Sequence, residues 1–128
     1  MLRTLAALAA LIALPAAAQD AALGQWRTQP DDNGNTGVVR IAPCGADVCG
    51  VLVAAYDGQG RRMESPNVGK RILWDMSPAG GGAYRGGKIW SPDRDKTYAS
   101  KMQVSGDRLS VSGCVLVICR DQTWTRLE

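Results

Sequence analysis

Two cysteine pairs share one spacing, Cys44 and Cys49 in CGADVC and Cys114 and Cys119 in CVLVIC. Four thiols in a short chain can ligate a metal, exchange electrons or close disulfides. Zinc knuckles use C-x₂₋₄-C, so the spacing alone leaves a metal open. A redox C-x-x-C has two intervening residues, and neither pair fits it. Carboxylates are the other candidates. Asp93 and Asp95 flank Arg94 and could form an acid/base pair, but adjacent positions in one charged loop are poor ground for the differing environments that such a pair needs. Asp31, Asn33 and Asn35 match the opening of a calcium loop. The sixth position is Thr36 instead of glycine, and the twelfth is Ala42 where a bidentate glutamate is required. That stretch reads as a turn. The chain has no histidine, which removes the commonest general base and the usual partner of a serine or cysteine nucleophile. No metal site, cofactor or catalytic residue is expected.

The compartment decides among the cysteine readings. Arg3 precedes an apolar run over residues 5–14, then Pro15 and three alanines. That is the charged, apolar and small-residue order of a secretory signal peptide, too short to span a bilayer. Cleavage is expected after residue 18, leaving residues 19–128 as one domain in the periplasm or outside the cell, with no membrane span. Oxidising surroundings pair thiols. The formal net charge of +3, of which Arg3 is one unit, is too mild to indicate nucleic acid.

The elements that must position these groups are short strands punctuated by glycine. Residues 97–104 alternate Tyr98, Met102 and Val104 with polar neighbours, and Leu109 and Val111 alternate through residues 108–112, with a tight turn at Gly106. Further strands are expected near 24–29, 36–43, 49–56, 70–75, 83–90 and 119–127. Eight short antiparallel strands with no helix indicate a small closed or nearly closed up-and-down barrel. Residues 57–69 make the longest irregular stretch. Each cysteine pair then sits at a hairpin mouth, the first around a four-residue loop. This favours Cys44–Cys49 and Cys114–Cys119 over the crossed pairings. Each closure contributes about 2 kcal/mol in the chain-entropy model.

Trp26 opens the first strand, and Trp124 and Arg126 close the last. Barrel closure makes these strands neighbours, so a guanidinium can stack on an indole and seal one end. Gly24-Gln25-Trp26 with this terminal arginine resembles the calycin folds, the lipocalin and avidin barrels. The ordered set Pro43-Cys44-Gly45, Gly69-Lys70-Arg71-Ile72-Leu73-Trp74-Asp75, Gly87-Lys88-Ile89-Trp90-Ser91-Pro92-Asp93 and Cys119-Arg120-Asp121-Gln122-Thr123-Trp124 is similar to an uncharacterised bacterial family, domain of unknown function 2147. The resemblance covers residues 19–128 and implies an exported calycin-like barrel. Many relatives carry D-x-x-N and R-x-R after the third strand, where this chain has Asp57-Gly58-Gln59-Gly60-Arg61-Arg62. No activity, substrate or catalytic residue comes with the family.

Two functional readings follow. The first is a non-enzymatic exported barrel, monomeric, binding a small apolar or amphipathic ligand. Tyr84, Lys88, Trp90 and Tyr98 are its candidate ligand residues, with Tyr84, Lys88 and Trp90 on one strand face and Lys88 either a buried anchor for a carboxylate or a side chain that snorkels to solvent. The second is an envelope protein-interaction or inhibitor module acting through loops, with Arg61, Arg62, Asp93 and Asp95 as contacts. A carboxylate-based enzyme is a distant third.

Overall fold

A computed structural model describes residues 21–127. The expected leader over residues 1–18 lies outside the described residues. Nine strands follow in order: β1 (Gly24–Arg27), β2 (Thr36–Cys44), β3 (Asp47–Tyr56), β4 (Arg62–Met63), β5 (Arg71–Gly80), β6 (Ala83–Ser91), β7 (Lys96–Ser105), β8 (Arg108–Val115) and β9 (Ile118–Arg126). Every pairing is antiparallel. β1 bridges β2, through Trp26 opposite Val39, and β9, through Trp26 opposite Arg126. β2 also pairs with β3. Eight strands therefore close into an up-and-down barrel, with the two-residue β4 as an outrigger on β3.

The strands fall where the alternation places them, with three differences. β5 runs to Gly80 instead of stopping near residue 75. The 57–69 stretch is less irregular than its composition suggests. The Asp57 carboxylate accepts from the Gln59 and Arg61 amides at 2.9 Å each, which fixes a turn. β4 then pairs with Ala55 and Tyr56. The third difference is at the first cysteine pair, where the strands continue into the expected loop. Cys44 stands opposite Asp47, and Cys49 opposite Ala42. The disulfide Cys44–Cys49 therefore runs diagonally across the hairpin, with Cα atoms 5.7 Å apart. Cys114 and Cys119 oppose each other directly, 4.1 Å apart. Each bond staples one end of the barrel.

Trp26, Val39, Ile41, Leu73, Met76, Tyr84, Leu109, Val111 and Trp124 fill the interior. Phenylalanine is absent, so two buried indoles supply the bulk. Each indole N–H needs an acceptor when buried. Trp26 Nε1 donates to the Ala22 carbonyl at 2.9 Å, and Trp124 Nε1 to Gln122 Oε1 at 2.7 Å. The outer wall carries Arg40, Arg85, Lys88, Lys101 and Gln103, all exposed. This apolar-in, polar-out order is the reverse of a barrel that spans a membrane. Among the described residues no helix is long and apolar enough to cross one.

A bulge in β6 decides which side chains face inward. The β6–β7 register shifts between Tyr84 and Gly87, and Gly86 adopts φ 72°. One extra residue on a strand reverses the parity beyond it. Tyr84 is therefore inside on one side of the bulge, and Gly87 and Ile89 are inside on the other. Gly87 has no room for a side chain. A β-carbon there would lie 2.8 Å from the Trp74 carbonyl oxygen and 2.5 Å from Met76 Sδ. Gly87→Ala is expected to cost about 1–3 kcal/mol through forced displacement, read as a lower urea midpoint with unchanged slope.

Candidate functional site

The two barrel ends differ in chemistry. The β2–β3, β5–β6 and β7–β8 turns gather at one end with the segment preceding β1. Ala22 is wholly buried there, its N–H donating to the Tyr84 hydroxyl at 3.0 Å. The Arg126 guanidinium lies 4.2 Å from the centroid of the Trp26 ring. It also donates to the Leu23 carbonyl at 3.0 Å and the Ala21 carbonyl at 2.8 Å. Indole below, guanidinium above and backbone carbonyls at its edge make a plug. A planar fork satisfies both demands at once, which a lysine ammonium would not.

The other end gathers residues 28–35, residues 57–70 and the β6–β7 and β8–β9 hairpins. It opens into a cavity of about 710 Å³. Leu52, Ala55, Ile72, Ile89, Tyr98 and Trp124 give it an apolar floor and wall. The rim is polar and mixed in sign, with Asp31, Asp93, Arg94, Arg120 and Gln122 among its residues. Gly113 also lines the cavity, and the nearest atoms to a β-carbon added there would be Ile89 and Tyr98 carbons at 3.7 Å, ordinary contact. Ser100 stands opposite Gly113 on the inward parity of β7, 6% exposed. Its hydroxyl has no hydrogen-bond partner among the described residues.

The four expected ligand residues do not form one group. Tyr84 is fully buried and belongs to the closed end. Lys88 is exposed on the outer wall, in register with Trp74. The Gly86 bulge separates the two, so the anticipated common face of Tyr84, Lys88 and Trp90 does not exist. Tyr98 does line the cavity. Trp90 is half-buried at the mouth, its Nε1 donating to Asp95 Oδ1 at 2.9 Å and Lys70 Nζ lying 5.3 Å from its ring centroid. Arg61, Arg62, Asp93 and Asp95 all sit at the open end, on two different hairpins. Asp95 is engaged by Trp90, and Arg61 Nη2 donates to Gln59 Oε1 at 3.1 Å.

The alternation in β9 held a signal for what was missed. Arg120 and Gln122 share the parity of Trp124 and line the same cavity. Among the described residues no group of three or more His, Cys, Asp or Glu could hold a metal ion. The Asp31 carboxylate accepts from the Asn33 and Asn35 amides at 2.9 Å each, so it caps its own turn.

A closed antiparallel up-and-down barrel, plugged at one end by a tryptophan–arginine stack and hollow at the other, defines a lipocalin-like calycin barrel. Residues 24–126 match the family described as "Uncharacterized protein conserved in bacteria (DUF2147)", and the chain belongs to that family. Among solved structures it is similar to protein HP1028 from the human pathogen Helicobacter pylori, described as belonging to the lipocalin family. The TM-score is 0.67 at 18% identity, over 83% of this chain and 82% of that one. At that identity the likeness concerns the fold. Among curated proteins none matches the chain.

Proposed function

We propose that this protein is a non-enzymatic, exported carrier or sensor that binds one small amphipathic molecule in the open-end cavity. The carrying observation is the cavity itself, about 710 Å³ with an apolar floor and a polar rim. That volume falls within the usual range for small-molecule pockets, roughly 300–1,000 Å³. The tail would lie on Leu52, Ile72, Ile89 and Trp124, and the head would meet the rim. Arg120 takes over the role expected of Lys88, because it is on the cavity side of the wall. Export to an oxidising compartment agrees with two disulfides and no free cysteine among the described residues. The absence of histidine favours binding over catalysis.

Titration with dodecanoate tests this reading through tryptophan emission, since Trp124 floors the cavity. A saturable one-to-one change is expected. Arg120→Gln is expected to weaken dodecanoate about three- to tenfold, the reduced effect of a charge-assisted bond at an exposed site. It should leave dodecanol nearly unchanged. Equal weakening of both ligands would remove Arg120 as the head-group anchor. No saturable signal with either ligand would count against the cavity as a site for acyl chains.

A further inference from the structure

The β8–β9 hairpin ends in four consecutive apolar residues at the rim of the open end. Val115 is 59% exposed, Leu116 93%, Val117 94% and Ile118 72%. Water-facing hairpin turns ordinarily carry Gly, Asn, Asp or Ser. The neighbouring hairpin at this end follows that habit, with Pro92, Asp93, Arg94 and Asp95 at its tip. Here Leu116 holds φ 55°, a region that leucine rarely adopts and that two-residue turns assign to glycine. The chain thus keeps a large apolar side chain at maximal exposure, in a backbone conformation that disfavours it. Directly beneath, Cys114–Cys119 ties the two strands together with Cα atoms 4.1 Å apart. The projection is fixed in advance, so ordering it on contact costs little.

We propose that this tip is a finger that inserts into a lipid surface and holds the cavity mouth against it. Its size selects that occupant. Stable protein interfaces use about 20–30 residues a side, and the finger offers four. Its base carries Arg120 and Asp121, both exposed, and the adjacent hairpin carries Asp93, Arg94, Asp95 and Lys96, so hydrated charges of both signs surround it. A partner protein or a second copy of this chain would have to desolvate that ring around a small contact. A bilayer makes no such demand. Apolar side chains enter the boundary between head groups and acyl chains while flanking charges stay among the head groups. The mixed charge suits zwitterionic lipid. Val115 and Ile118 also line the cavity, so apolar surface runs from the finger to the floor. An amphiphile could then enter without crossing water; that consequence rests on the cavity reading, whereas the docking does not.

The test compares the disulfide-intact protein with Leu116→Gly/Val117→Ser, which gives the turn the residues its backbone favours and removes the apolar tip. Both are floated with vesicles of phosphatidylethanolamine containing a minor fraction of phosphatidylglycerol. The native protein is expected to float with the vesicles, and the variant to lose at least about tenfold in bound fraction with an equal or higher Tm. Native protein that stays unbound would overturn the inference, as would a variant that floats equally well. A concentration-dependent dimer in sedimentation that the variant abolishes would also overturn it, making the finger a contact between copies. Dodecanoate titration without vesicles separates this inference from the cavity reading: the variant should bind the free ligand like the native protein.

Discussion

Replacing Trp26 with alanine is expected to lower the unfolding free energy by about 3–5 kcal/mol, the range for deleting a large buried aromatic. Trp26 is wholly buried, and three separate supports meet on it. Its ring fills the plugged end of the barrel. Its N–H holds the Ala22 carbonyl, and its face carries the Arg126 guanidinium, which in turn holds the carbonyls of Ala21 and Leu23. The substitution leaves a hole, strands a buried carbonyl and releases the guanidinium. Domains of this size have total stabilities of about 5–15 kcal/mol, so the midpoint should fall by more than about 10 °C. Arg126→Ala should cost about 2–4 kcal/mol, from the lost stack and two charge-assisted bonds. The double variant should cost less than the two singles combined, because the residues act as one unit, with a coupling of about 0.5–3 kcal/mol. Strict additivity in the double-mutant cycle would show that Trp26 and Arg126 contribute independently.

Gly113→Phe is expected to reduce dodecanoate affinity by at least about tenfold, or 1.4 kcal/mol, while Tm holds or rises. Gly113 lines the cavity, and the nearest atoms to an added β-carbon are ordinary contacts at 3.7 Å. The ring therefore extends into the hollow over Ile89 and Tyr98 instead of into packed protein. Burying it gains roughly 25 cal/mol for each Å² of apolar surface removed from water. Gly113→Ala should fall between, with a small loss of affinity. The contrast with Gly87→Ala is informative, since both glycines face the interior of the same barrel. A β-carbon at one would clash with a backbone carbonyl at 2.8 Å, and at the other would make ordinary contacts at 3.7 Å. Loss of binding together with a matching loss of stability would mean that Gly113→Phe had damaged the wall instead of filling the cavity.

The barrel was legible because its evidence is local and repeated. Alternation through Tyr98, Met102, Val104, Leu109 and Val111 fixes which side of β7 and β8 faces inward. Closure requires β1 beside β9, which brings Trp26 to Arg126. The cavity was less legible for one physical reason. A bulge shifts parity by one residue, and its one mark in Tyr84-Arg85-Gly86-Gly87-Lys88 is the glycine pair inside the strand, which a reading by alternation passes over. Reading straight through it carried Lys88 to the interior and placed Tyr84 with Trp90. Beyond the bulge the rule of two works again, and Gly87 and Ile89 face inward. On β9, where no bulge intervenes, Arg120, Gln122 and Trp124 could have been grouped from their spacing. The 57–69 stretch is irregular apart from the two-residue β4, and the order it has was not legible because it comes from Asp57 capping its own turn and from β4 pairing with β3, neither of which leaves an apolar period. The second cysteine pair marked a hairpin correctly. That its tip carries bare apolar residues was visible in Val115-Leu116-Val117-Ile118, but alternation alone reads such a run as buried strand.

Ligand binding in the open-end cavity is tested most directly by native mass spectrometry of the protein and its Gly113→Phe variant, both isolated from the bacterial periplasm without denaturation. The wild-type protein should carry a non-covalent small amphiphile in a one-to-one ratio, and the variant should appear at its bare mass. Bare mass for both proteins, or the same adduct on both, would contradict the cavity as the binding site.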